Sequence, residues 1–179
     1  VTNSYVIPQV IDLNWYFVGM NDAAASVKKD DFNSDAKAEI VWRNVANGEN
    51  LLWTMSGADQ VGGVIALPSV TGAQWSVNAV GDINFDNKPD LIWRNSETGD
   101  NVAWLMDGAT YGGSVALPSA STEWRLFGLA DVNNDGINDM YWHNANTGDV
   151  AVWILDATPG DDVTVVSSLS LPGEVNTSW

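Results

Sequence analysis

The 179-residue chain has no cysteine, one histidine and seven lysines and arginines together. Without cysteine there is neither a disulfide framework nor thiolate chemistry. One histidine leaves too little material for a Ser-His-Asp triad or a histidine-rich metal site. Against 23 acidic residues the few basic ones leave a formal charge of −16. Nothing here can neutralise a run of phosphates, so nucleic acid is excluded as a partner, and so is docking on an anionic membrane surface. No apolar run approaches the roughly 18 residues of a membrane-spanning helix, so no membrane insertion is expected. No signal peptide is visible at Val1. What is present is a 45% apolar composition in a chain of about one domain's length, enough for a packed core.

The abundant residue is tryptophan, of which there are ten. All ten fall into three classes. Trp42, Trp93 and Trp142 each follow an acidic residue by three positions, and Trp53, Trp104 and Trp153 follow eleven residues later. Trp15, Trp75, Trp124 and Trp179 precede an acidic loop or its expected place. Asp31, Asp82 and Asp131 set a period of about 50, since they lie 51 and 49 residues apart. A repeat of this length is a stacked or radial architecture rather than a single irregular core.

Each unit contains four short strand signals. Leu91-Ile92-Trp93 is a short, bulky apolar run, and Val102 to Met106 is a second. Thr98-Gly99, like Asn47-Gly48 and Thr147-Gly148, is a hairpin turn between them. A third strand ends at Ala116-Leu117-Pro118 and its equivalents, where proline stops the ladder. A fourth begins at the third-class tryptophan, as in Trp124 to Leu129. No segment shows a helical period. The chain is therefore expected to be all-β, a β-propeller of four-stranded blades of about 50 residues. As one domain, 1–179, it divides into a partial blade 1–21, an insertion 22–30, and blades 31–81, 82–130 and 131–179. About three and a half blades do not close a ring. Completion by homo-oligomerisation, or membership of a larger propeller, is expected to cover the open edges. The first two tryptophan classes are expected in the core between blades. Trp15, Trp75 and Trp124 are candidates for stacking on a ligand at the rim.

Three acidic loops stand in register with this repeat. Oxygen-bearing side chains fall at positions 1, 3, 5 and 9: Asp31, Asn33, Asp35 and Glu39; Asp82, Asn84, Asp86 and Asp90; Asp131, Asn133, Asp135 and Asp139. Position 7, Lys37, Lys88 or Ile137, can offer its backbone carbonyl. Many oxygens with several carboxylates suit a hard cation, Ca2+ rather than Zn2+, up to three per chain. An EF-hand does not fit, since position 12 is Trp42, Trp93 or Trp142 and the flanks are strands. Gly136 suits the left-handed turn expected at position 6, Asn87 tolerates it, and Ala36 costs on the order of 1 kcal/mol. Occupancy is accordingly expected to be best at 131–139 and weakest at 31–39. Three ions would move the formal charge from −16 to −10, two units each.

The D-x-N-x-D-G-x-x-D loop, followed by an apolar strand, W-R-N and a T-G-D turn, resembles the FG-GAP/VCBS-type repeat of secreted and cell-surface proteins. Asp82 to Met106 is the nearest stretch. The resemblance covers almost the whole chain from residue 31, with the partial unit 1–21. It implies a calcium-binding β-propeller, as in integrin α heads and some propeller lectins, and a secreted or cell-surface location. Ala36 in place of the loop glycine and the insertion of about nine residues before Asp31 depart from the pattern.

Arg43, Arg94 and His143 share one repeat position, where a guanidinium can bridge neighbouring carboxylates or stack on tryptophan. Asn44, Asn95 and Asn144 recur as turn formers. The insertion carries the Lys28-Lys29 pair on a loop. The expected function is a non-catalytic, extracellular carbohydrate-binding module, with rim tryptophans as stacking faces and neutral sugars favoured by the negative charge. A protein-interaction or adhesion scaffold, or an accessory domain of a larger secreted protein, is the alternative. An enzyme is not expected, because the conspicuous acids all belong to repeated loops.

Overall fold

The computed structural model describes residues 15–17, 30–57, 59–159 and 162–171. Twelve strands and no helix occur among them. The strands are β1 (Trp15–Phe17), β2 (Ile40–Asn44), β3 (Asn50–Ser56), β4 (Asp59–Leu67), β5 (Trp75–Gly81), β6 (Asp90–Asn95), β7 (Asn101–Asp107), β8 (Thr110–Leu117), β9 (Trp124–Ala130), β10 (Asp139–Asn144), β11 (Val150–Ala157) and β12 (Val163–Leu171). No helix among the described residues is long and apolar enough to cross a membrane.

The strands form three antiparallel four-stranded sheets, β1 to β4, β5 to β8 and β9 to β12, each in sequence order. This corrects the unit boundaries expected from the repeat. The tryptophan-led strand does not end a unit; it opens the next sheet. Trp75 pairs with Asn95, and Trp124 with Asn144, across the acidic loop that follows each of them. Trp15 likewise pairs with Asn44. Among the described residues the strands thereby make three four-stranded sheets. Trp179 and the insertion up to Lys29 lie outside the described residues.

Within a sheet the hairpin glycines have positive φ, +81° at Gly48, +79° at Gly99 and +78° at Gly148. The preceding asparagines cap these turns as expected: Asn44, Asn95 and Asn144 accept the N–H groups of Ala46, Glu97 and Asn146 at 2.9 Å. The third and fourth strands of every sheet carry a register shift near the second-class tryptophan, at Trp53/Met55, Leu105/Met106 and Ile154/Leu155. Such bulges add twist to a sheet.

Two apolar clusters lie between consecutive sheets. One joins Val41 and Leu52 of the first sheet to Leu91, Trp93 and Met106 of the second. The other joins Ile92 and Ala103 of the second to Met140, Trp142 and Leu155 of the third. The middle sheet is thus buried on both faces, and its β6 is buried at every residue. Of the six tryptophans expected in the core, Trp93, Trp104 and Trp142 are buried, and Trp42, Trp53 and Trp153 are half-buried. Each first-class ring meets a second-class ring at a tilt: Trp42 and Trp53 at 5.0 Å, Trp93 and Trp104 at 4.8 Å, Trp142 and Trp153 at 4.8 Å.

Buried arginine fastens one sheet to the next. Arg43 is fully buried and donates to the carbonyls of Val70, Gly72 and Trp75, on the linker to the second sheet and the start of β5. Its guanidinium lies 5.0 Å from the centre of the Trp93 ring. Arg94 repeats this against Ala120, Ser121 and Trp124, over Trp142. These partners are backbone carbonyls, and the side-chain oxygens of Asn50 and Asn101 accept from the two guanidiniums as well, at 3.1 and 3.0 Å. His143, at the same position in the third sheet, is exposed.

Candidate functional site

Each acidic loop links the first two strands of a sheet, and its geometry is the same three times. In the first, the Asp35 N–H is shared by Asp31 Oδ1 at 3.1 Å and Asn33 Oδ1 at 2.9 Å. Ala36 N–H donates to Asp31 Oδ2 at 2.8 Å, and Lys37 N–H to Asp35 Oδ1 at 2.9 Å. In the second, Asp86 N–H is shared by Asp82 and Asn84, both at 3.2 Å, while Asn87 donates to Asp82 and Lys88 to Asp86, both at 2.8 Å. In the third, Asp135 N–H is shared by Asp131 at 3.1 Å and Asn133 at 3.0 Å. Gly136 donates to Asp131 at 2.9 Å and Ile137 to Asp135 at 2.8 Å. Positions 1 and 3 therefore converge on the position 5 amide, and position 5 accepts from the amide of position 7.

Two left-handed residues per loop make this possible. Position 6 is left-handed as expected: Ala36 at +71°, Asn87 at +64° and Gly136 at +92°. Position 4 is left-handed as well, at Ser34 (+60°), Phe85 (+59°) and Asn134 (+63°), which the sequence did not reveal because none is glycine. Non-glycine residues held there store about 1–3 kcal/mol each. The amide-to-carboxylate bonds offset that strain.

Position 9 divides the loops. Asp90 is fully buried and accepts from Ile83 N–H at 3.1 Å and from Met106 N–H on β7 at 2.8 Å. Asp139 does the same with Val132 at 3.0 Å and Leu155 on β11 at 2.9 Å. Both tie their loop to a strand two places along the sheet. Glu39, one carbon longer, accepts from Phe32 N–H at 2.7 Å and from the Asn33 side-chain amide at 3.1 Å. Asp31, Asp35 and Glu39 consequently bring a carboxylate oxygen each within 4.8 Å of one another. Among the described residues this acidic trio forms at the first loop, where the sequence pattern appeared weakest.

Burial dominates the electrostatics. It pushes the Asp90 carboxyl up to about 7, with Asp86 and Asp82 adding to the rise against the two amide bonds. Burial pushes Glu39 up to about 6, with Asp31 and Asp35 contributing. Asp82 is raised for the same leading reason. A cation would relieve all three by favouring the ionised form. The donors are all oxygens, and a carboxylate oxygen bonded to one amide keeps a free acceptor site. The loops thus fit a Ca2+-type ion chemically. Lys88 turns its ammonium group away from its loop, 2.5 Å from Asp107 Oδ1, whereas that of Lys37 lies 3.6 Å from Asp35 Oδ2 of its own loop.

Of the rim tryptophans, the Trp15 side chain lies outside the described residues. Trp75 is half-buried against the first inter-sheet cluster. Trp124 is half-buried and borders two cavities. One, of about 240 Å3, is also lined by Trp142 and Trp153. The other, of about 400 Å3, is polar, with Ser76, Asn78 and Arg125 on its wall. A third cavity, about 360 Å3, sits beside Asn84, Asp86 and Lys88 of the second loop. The 240 Å3 cavity is formed by all four strands of the third sheet with the 118–123 linker, residues far apart in the chain, which is why the sequence did not reveal it.

Residues 82–142, about a third of the chain, match the family model of the FG-GAP-like repeat. The match begins at the first aspartate of the second loop, spans the third loop and ends at Trp142. Neither the curated proteins nor the solved structures give a match to the chain.

Proposed function

We propose that the protein is a calcium-stabilised, non-catalytic β-propeller module that binds carbohydrate outside the cell. The carrying observation is the threefold loop geometry: side-chain oxygens gathered on a strained turn, in register with a repeat that matches the FG-GAP-like model. An ion would stabilise each loop at the entry to its sheet, where strain and like charge otherwise act against folding. Asp31, Asn33, Asp35 and Glu39 would hold the first ion. Asp82, Asn84 and Asp86, with the Lys88 carbonyl and Asp90, would hold the second. The third would take Asp131, Asn133 and Asp135, with the Ile137 carbonyl and Asp139. Trp124, half-buried at a cavity between the third sheet and the linker before it, supports a sugar ligand, because aromatic rings beside hydroxyl groups suit a ring with apolar C–H faces and polar edges.

The ring is completed by further sheets. The position-2 side chains support this: Phe32 and Ile83 are 1% and 0% exposed, whereas Val132 of the third loop is 46% exposed. Val132 and His143 stand where the first two sheets make contact with a successor.

A glycan array probed in calcium and again in chelator tests the reading. Binding to a defined sugar in calcium is expected, with loss on chelation. A folded protein that binds no sugar would instead favour a protein-interaction scaffold, which the exposed Phe127, Leu169 and Leu171 of the third sheet would serve.

A further inference from the structure

The repeat supplies its own comparison for the cavity beside Trp124. Val70 N–H donates to Gly48 O at 2.9 Å, and Ala120 N–H to Gly99 O at 3.0 Å, so Val70 and Ala120 occupy equivalent places. Val102 pairs with Ala116, and Ala151 with Ser170, which makes Val102 equivalent to Ala151 and Ala116 to Ser170. The three tryptophans do not change between the junctions: Trp75, Trp93 and Trp104 at the first, Trp124, Trp142 and Trp153 at the second. From the first junction to the second, then, two valines become alanines, one alanine becomes serine, and Thr71 becomes Ser121. Val70 and Val102 pack against the first inter-sheet cluster. Ala120 and Ala151 each lack two of those carbons, and the cavity of about 240 Å3 opens between them.

Its chemistry is narrow. Three indole rings line it, and the hydroxyls of Ser121, Ser168 and Ser170 lie at its exposed margin. No ionisable side chain lines it among the described residues, so the complementary ligand is neutral. Its volume falls below the roughly 300–1,000 Å3 of pockets for drug-sized ligands, which limits the occupant to about one ring.

We propose that this cavity binds a single neutral pyranose ring, and that the first junction does not, because Val70 and Val102 fill the equivalent space. The inference rests on the carbohydrate reading above and narrows it from sites repeated at every junction to one site within the described sheets.

The test follows the ten indole N–H signals of the 15N-labelled protein in calcium. Methyl glycosides of glucose, galactose, mannose and N-acetylglucosamine are titrated in turn. The A120V/A151V variant, which installs the two valines of the first junction, is compared at equal melting temperature. W124F identifies its own signal. The expected result is a shift of the Trp124 signal with one glycoside, and affinity weakened roughly tenfold or more in A120V/A151V, the usual scale for misfitting methyl-sized groups. Unchanged affinity in A120V/A151V, or shifts confined to indoles other than those of Trp124, Trp142 and Trp153, would overturn the cavity while leaving the carbohydrate reading intact. No response to any glycoside, with no binding on the array, would overturn both. Should the double variant fail to fold, A120V alone, on the linker between sheets, gives the same reading.

Discussion

The Arg94 guanidinium lies 5.0 Å from the centre of the Trp142 ring, across the junction between the second and third sheets. It also donates to the carbonyls of Gly99, Ala120, Ser121 and Trp124 and to Asn101 Oδ1, at 2.9 to 3.0 Å. One side chain therefore satisfies a hairpin, a linker and the start of the next sheet. Replacing it with alanine strands several acceptors in a buried site. R94A is expected to lose about 3 kcal/mol or more in urea unfolding. R94K keeps the charge but not the planar fork, and should recover only part of the loss. A loss below about 0.5 kcal/mol for R94A would refute the fastening role.

Calcium is expected to raise the melting temperature, and a chelator to reverse the rise. At a hundredfold excess over the dissociation constant, one site adds about 2.7 kcal/mol. D31N, D82N and D131N should each shrink the calcium-dependent increment, measured against the same variant in chelator. An increment unchanged in all three would place the ion elsewhere.

In chelator, stability should fall as pH rises from about 4 to 7. Asp90 has a folded value of about 7 against an ordinary 3.8, so within that window the folded state holds a proton that the unfolded chain has released. Raising the pH pulls towards the unfolded state until the folded value is passed. Glu39, at about 6, adds the same sign over a narrower window. Calcium favours the ionised carboxylates, so its stabilising increment should grow over the same range. Melting curves from pH 4 to 8, for the wild type and D90N, check this; D90N should flatten the slope in chelator.

Gly99 has φ of +79°, and a Cβ there would stand 2.0 Å from the Ala120 carbonyl oxygen. G99A is expected to cost more than about 1 kcal/mol, since both the conformation and the space are wrong. Gly113 meets nothing within 4 Å, and G113A should stay within about 0.5 kcal/mol. Denaturant midpoints for the two variants compare them directly.

V132D is expected to leave the single chain's melting unchanged while reducing any higher assembly seen by light scattering. I83D, at the equivalent position with no exposure, should prevent folding. An assembly indifferent to V132D would place the interface elsewhere.

The all-β class was legible because its signals are local. Thr98-Gly99, the Asn95 turn and the run Leu91 to Trp93 are each read within a few residues, and the structure places a hairpin there. The acidic loops were legible for the same reason, since a nine-residue spacing suffices to gather oxygens. The left-handed conformation of Ser34, Phe85 and Asn134 was not, because loop closure imposes it on residues with no such preference.

Sheet membership was misassigned for a different reason. A periodic sequence has no origin, so Trp75 to Gly81 can end one unit or begin the next. Backbone pairing across the 82–90 loop decides for the latter, and Arg43 holds the 68–74 linker as the crossing between sheets. The sequence by itself determined the strands, the turns and the oxygen-rich loops, all of which depend on neighbours along the chain. Only the tertiary structure decided which strands share a sheet, where Arg94 finds its ring, and that Ala120 and Ala151 leave a cavity. Those outcomes depend on side chains that meet from distant parts of the chain, and packing rather than local preference governs them.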